Sequence, residues 1–196
     1  MNAKDEQKER SHESILASAA RLVRARGIAG ARVAEVMKGA GLTVGGFYAH
    51  FTSKEALVDD VLRRAAEEMR ARLFEKLPER PEQDLLGLVL RRYLTPAHRD
   101  APLVGCPMPA VVGEIGTTAP EHAPVLAEIV AAMAAEMEAM APAPTEGGPS
   151  KKHLALGLIA LMVGGLSLAR ALAGTALSDE VLKACRAVGL RAAAAR

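Results

Sequence analysis

The chain has 196 residues, half of them hydrophobic, with 25 Lys and Arg against 23 Asp and Glu. That length suits one mid-sized domain or a small domain joined to a larger one, and the apolar fraction excludes a chain disordered throughout. Two cysteines, Cys106 and Cys185, exclude a disulfide scaffold or a four-ligand zinc site, and a net charge of +2 does not by itself call for a polyanionic partner.

The first ten residues are charged and lack the apolar core of a signal peptide. The longest uncharged apolar stretch, 154–169, falls short of the roughly 20 residues of a membrane span. A cytoplasmic protein is therefore expected. There are 39 Ala and 24 Leu but only five aromatic residues, a mixture that favours helix over strand and predicts an all-α fold.

Residues 8–26 read as a first helix, with Ile15, Ala19, Leu22 and Val23 on one stripe and Gly27 stopping it. A short second helix over 33–39 places Val33, Val36, Met37 and Ala40 on one face. Gly41 then tolerates positive φ, and Thr43 is positioned to cap a third helix over 44–50. Two short helices joined by a tight Ala-Gly-Leu-Thr turn read as a helix-turn-helix. Ser53 caps a longer helix to about residue 77, with Leu57, Val61, Ala65, Met69 and Leu73 spaced by four and Pro78 and Pro81 ending it. Further helices are expected at about 82–94, 107–115, 120–141, 151–173 and 179–193, making nine. Their punctuation is Pro96, the Gly- and Pro-rich segment around Cys106, Gly116, and the loop from Pro142 to Pro149.

Function concentrates in the first quarter. Residues 1–50 carry eight Lys and Arg against five Asp and Glu. Between Leu22 and Lys38 the cations Arg24, Arg26, Arg32 and Lys38 meet one acid, Glu35. Such a stripe suits a polyanion, although a solvated helical face accounts for the same charges. Three of the five aromatics, Phe47, Tyr48 and Phe51, lie within five residues. At helical spacing Phe47 and Phe51 share a core face, while Tyr48 sits about 100° away. The Tyr48 hydroxyl, the His50 ring and the Lys54 ammonium then make three donors able to reach phosphate oxygens. Gly45 and Gly46 cost helix stability, about 1 kcal/mol each, and permit close approach of another backbone.

The stretch from Val33 to Leu57, above all Ala-Gly-Leu-Thr followed by Phe-Tyr-Ala-His-Phe-Thr-Ser-Lys-Glu-Ala-Leu, resembles the DNA-binding domain of TetR/AcrR-type transcriptional regulators. The resemblance covers about residues 10–60. It implies an all-helical homodimer with an N-terminal operator-binding domain, here 1–52, and a C-terminal ligand-binding and dimerisation domain, here 53–196. It also gives Thr43, Tyr48, His50 and Lys54 phosphate-contact roles. Arg32 stands where the family often has a Ser or Thr cap, losing a cap and offering a charged contact instead. Val44, Gly45, Gly46 and Ala49 complete the expected DNA face with few base-directed hydrogen-bonding groups. Thymine-methyl contacts and indirect readout are expected to carry specificity.

Cys106 opens the segment Gly-Cys-Pro-Met-Pro, with Pro107 suited to a first helical position. A thiol at a helix N-terminus can have a lowered pKa and sense electrophiles or oxidants; a small residue filling a tight corner is the other reading. With Met108, Val111, Met133, Met137 and Met162 it forms the expected wall of an apolar effector pocket, and Glu114, Arg92 and Arg170 either orient a ligand there or make surface ion pairs. The run from Leu154 to Leu168 is apolar all round, which calls for cover by a second subunit. The expected dimer face comprises Leu154, Leu158, Leu161, Gly164, Leu168, Val181, Cys185 and Val188. The five histidines lack metal-ligand spacing, and no phosphate loop, dinucleotide fingerprint or nucleophile elbow is present. The expectation is a non-enzymatic regulator without metal or cofactor, binding double-stranded operator DNA and released by a small apolar effector; a helical-bundle enzyme is the rival.

Overall fold

The computed structural model describes residues 2–77 and 84–194. Among these residues the chain forms nine α-helices and three short 3-10 turns, with no strand. The expected breaks at Pro78 and Pro81, and the first two positions of the helix expected from 82, lie outside the described residues. The backbone divides into two compact units, Met1–Glu67 with Pro102–Leu126, and Glu68–Ala101 with Ala127–Arg196. This division differs from the functional boundary expected after residue 52, because the segment carrying Cys106 packs with the N-terminal helices.

In the first unit α1 (Ala3–Gly30) starts earlier than its apolar stripe suggests. The Asn2 side chain accepts the Lys4 and Asp5 amides, each at 3.0 Å, and Asp5 reaches back to the Asn2 amide, a capping box that recruits the charged N-terminal residues into the helix. At Gly27 the helix breaks (φ 72°, ψ −174°) and resumes for the single turn Ile28–Gly30. The second helix, α2 (Val33–Gly39), buries Val36 and Met37 as expected, and Gly41 has φ 72°. The third expected helix is a 3-10 turn, Val44–Ala49. Its tight winding gives the Gly46 amide to the Thr43 carbonyl at 3.0 Å, so Thr43 holds the N-cap position without a side-chain cap bond. Two adjacent glycines make the longer α-helix costly here.

Next, α3 (Lys54–Phe74) is capped by Ser53, whose hydroxyl accepts the Ala56 amide at 3.1 Å. It buries Leu57, Val61, Ala65, Met69 and Leu73, the residues of the predicted stripe. The α4 helix (Leu85–Tyr93) is followed by α5 (Pro96–Asp100), which the sequence reading missed. Pro96 reads in the sequence as a breaker, yet Thr95 caps the His98 amide at 3.1 Å and Pro96 occupies the first turn, where its missing N–H costs nothing. Within the first unit α6 (Met108–Ile115) packs on α1. The remaining helices are α7 (Ala123–Ala139), α8 (Lys151–Ala171) and α9 (Ala176–Ala194).

In the second unit α9 packs on α8 and α4. Burying Leu158, Ile159, Met162 and Leu166 contributes about 1.5–3 kcal/mol per side chain. Polar ties set the elements in place. Arg99 of α5 donates to the buried Ser178 hydroxyl at 2.9 Å and pairs with Asp179 and Asp100, while Ser178 donates to the Ala169 carbonyl at 2.7 Å. Arg92 donates to the Leu73 and Glu75 carbonyls at 2.7 and 3.0 Å, capping the end of α3, where Lys76 turns left-handed (φ 55°).

Candidate nucleic-acid interface

The short turn Val44–Ala49 is anchored from beneath by its aromatic residues. Phe47 and Phe51 are buried, with ring centroids 5.7 Å apart, and Met37 closes the same core. That anchoring leaves Tyr48 76% exposed, edge-on to Phe47, the largest apolar surface the turn offers to solvent. Thr43, Val44, Gly45, Ala49 and Arg32 are exposed beside it, and Gly46 is half-buried. A Cβ built on Gly45 meets nothing within 4 Å, so the fold places no steric demand for glycine there. The bare backbone faces outward, where a second chain could approach.

His50 follows the turn, half-buried, its ring centroid 6.0 Å from that of His12, which in turn stacks on Phe51 at 4.6 Å. Its Nδ1 is buried without a hydrogen-bond partner. Partial burial lowers the His50 pKa from its ordinary value, and the fields of His12 and Lys8 lower it further. A phosphate at this ring would oppose the fields of His12 and Lys8. The sequence reading did not include His12 or Lys8. The signal was available in principle, since α1 runs past the turn, but their register against Phe51 depends on tertiary packing.

Not every predicted cation is free to meet DNA. Arg24 is only 8% exposed and donates from Nε to the Gly105 carbonyl at 3.0 Å, and Arg26 pairs with Glu35 at 2.9 Å. Arg24 is therefore withdrawn from the basic stripe, while Arg26, Arg32 and Lys38 remain exposed, Arg26 within a surface ion pair. Lys54 is half-buried and donates from Nζ to the Ile28 carbonyl at 3.1 Å.

The expected effector wall is buried throughout. Cys106, Met108 and Val111 lie in the first unit, with Cys106 2% exposed, and Met133, Met137 and Met162 lie in the second. None of the six lines the surface cleft of about 340 Å³ in the second unit, which is bounded by Arg70, Phe74, Leu77, Glu136 and Met140. The three candidate ligand-orienting charges serve the backbone instead. Glu114 accepts the Ile28 and Ala29 amides, Arg92 caps α3, and Arg170 donates to the His98 carbonyl at 3.1 Å.

The α8 helix has two apolar faces of different fate. Leu158 lies with Ala155, Ile159 and Met162 on the buried face of the helix, which removes it from the expected dimer surface. The opposite face, Gly157, Ala160, Gly164 and Leu168, is exposed. On α9, Val188 is 59% exposed, and Val181 and Cys185 are half-buried. Packing in the chain also constrains Cys185, since a Cβ on Gly165 would sit 2.8 Å from its Sγ. By length and composition α8 could cross a membrane, yet one face is part of the core.

Residues 15–61 match the family model for bacterial regulatory proteins of the tetR family. The fold matches a TetR-family transcriptional regulator from Cytophaga hutchinsonii (20% identity, TM-score 0.78, covering 97% of this chain and 98% of that one). It also matches a TetR transcriptional regulator from Chloroflexus aurantiacus (24% identity, TM-score 0.77, 95% of each chain). A third similar structure is the multidrug binding protein EbrR complexed with imidazole (24% identity, TM-score 0.66, covering 100% of this chain and 93% of that one). No curated protein matches the chain. All of these likenesses concern the same all-helical architecture, and the family model falls on the segment that holds Tyr48.

Proposed function

As a member of the TetR family, this chain is a DNA-binding transcriptional regulator and not an enzyme, and we propose that it is a cytoplasmic homodimeric repressor released from its operator by a small apolar molecule. Residues 1–52 read DNA, and 53–196 bind the effector and the second subunit. The observation that carries the DNA reading is Tyr48, a large side chain held out to solvent on a turn whose other aromatics are buried. Around it Arg32, Thr43 and His50 supply donors for phosphate, while Val44, Gly45, Gly46 and Ala49 offer small surfaces to the bases. In a two-fold dimer the two turns would enter successive major grooves.

The effector reading draws support from the similar multidrug binding protein EbrR, described in complex with a small molecule. Cys106, Met108 and Val111, which share the first unit, are the side chains we assign to that pocket, which would select by volume more than by stacking. Effector binding lowers operator affinity if it favours a conformation in which the paired turns no longer match the groove spacing.

Replacing Tyr48 by Ala or Arg32 by Ala should weaken binding to every duplex tested, with folding unchanged. For Arg32→Ala the salt dependence of log K should also become shallower by about one. Fluorescence anisotropy across a salt series makes the measurement. Wild-type affinity in both variants would remove this face from the DNA interface.

A further inference from the structure

The break in α1 has its own set of partners. After Gly27 the chain resumes in the turn Ile28–Gly30, whose first amides have no carbonyl behind them in the helix. Glu114 of α6 supplies the missing acceptors: one carboxylate oxygen takes the Ile28 amide at 3.0 Å and the other takes the Ala29 amide at 2.8 Å. A Cβ on Gly27 would lie 1.6 Å from the Glu114 Oε1, so glycine is required both for the φ of 72° and for the carboxylate's approach. At the other end of the same residue, the Ile28 carbonyl accepts Lys54 Nζ at 3.1 Å. One buried residue thus lies between an anion at its amide and a cation at its carbonyl. Lys54 is the first residue of α3 and follows Phe51, the buried anchor of the DNA-reading turn, by three positions. Meanwhile the segment leading into α6 is tied to α1 on the near side of the break, through Arg24 and the Gly105 carbonyl at 3.0 Å.

We infer that Glu114 and Lys54 are positioning residues that act through the Ile28 peptide, fixing the DNA-reading turn relative to the Cys106–Ile115 segment. This inference rests on the reading of residues 43–50 as the DNA face. Movement of α6 pulls the carboxylate from the two amides, loosens the turn 28–30, and withdraws the carbonyl that holds Lys54. Lys54 contributes to DNA reading by holding the frame and not by meeting a phosphate. The relay joins the segment assigned to the effector with the head that grips DNA, entirely inside one compact unit.

The test uses Glu114→Ala, Glu114→Gln and Lys54→Met in the full chain, each checked by circular dichroism to be folded at the assay temperature. The probe is a duplex selected by the wild-type protein from a randomised library, with a scrambled duplex as control. Glu114→Ala should lower affinity for the selected duplex by about tenfold, the scale of a lost charge-assisted hydrogen bond, and leave the scrambled duplex nearly unaffected. Glu114→Gln, which retains one acceptor, should fall between. Amide exchange should accelerate at Ile28 and Ala29 and also across 44–49. Lys54→Met should weaken the selected duplex without changing the salt slope, and the double variant with Glu114→Ala should be no weaker than the weaker single one.

Several results overturn the relay. These are faster exchange confined to Ile28 and Ala29 with wild-type affinity, additive effects of the two substitutions, or a salt slope that falls by about one in Lys54→Met, which marks a direct phosphate contact. Should the wild type select no duplex at all, the DNA reading fails, and exchange across 44–49 in Glu114→Ala still decides whether the coupling exists.

Discussion

His98 illustrates how a single side chain carries more than its sequence position implies. It is half-buried in α5, donates from Nδ1 to the Tyr93 carbonyl at 2.8 Å, and stands edge-on to the Tyr93 ring at 4.6 Å. Burial lowers its pKa, and Arg170 and Arg72 lower it further against the opposing pull of the Tyr93 carbonyl. The folded state thus binds the proton less readily than the unfolded chain. Its stabilising contribution is complete above the ordinary histidine value near 6.5 and is lost as pH falls through the lowered folded value. Thermal denaturation from about pH 7.5 down to 5.5 should therefore show a falling melting temperature that His98→Gln makes less steep; equal slopes in both proteins would remove His98 as the source. Legibility at this scale depended on distance along the chain. Phe47, Phe51 and Tyr48 declared their orientations through a spacing of a few residues. Arg24 and Glu114 could not, because their partners lie 81 and 85 to 86 residues away. A charged residue whose acceptor is a distant backbone group leaves no local signature.

Helices were legible wherever an apolar period and a cap agreed, as in α3 with Ser53 and its spaced-by-four stripe. Elements were misread where the backbone departed from the α-helical period. The turn Val44–Ala49 tightened to 3-10, and α5 began at a proline that also fits the role of a stop. In α8 the sequence is apolar on every side, and only packing separates the face it buries from the face it exposes. Gly157, Ala160, Gly164 and Leu168 recur at the three- and four-residue spacing of one helical face. A Cβ at Gly157 or Gly164 meets nothing within 4 Å among the described residues, so their small size answers to no internal neighbour there. Close approach of a symmetry-related helix would use it. Gly164→Arg should accordingly give a monomer in light scattering, or insoluble protein, while the internal packing of α8 is undisturbed. A soluble Gly164→Arg dimer with wild-type affinity between subunits would place the interface elsewhere.

For the molecule as a whole, the two compact units cut across the simpler division into an N-terminal reader and a C-terminal body. The segment Pro102–Leu126 belongs to the reader's unit by packing, even though the family resemblance assigns it to the body. No sequence period reports such an exchange, because it is settled by which helix α6 packs on. The exposed stripe on α8 has a further bearing on the conditions under which the molecule persists. If folding is complete only when that stripe is covered, unfolding and dissociation form one equilibrium, and mass action enters the stability itself. The melting temperature should then rise as the protein is made more concentrated and be independent of concentration in Gly164→Arg, which differential scanning fluorimetry over a dilution series would measure. A regulator held at few copies would sit low on that curve. Its abundance, and not only its effector, would then set how much of it survives to occupy DNA.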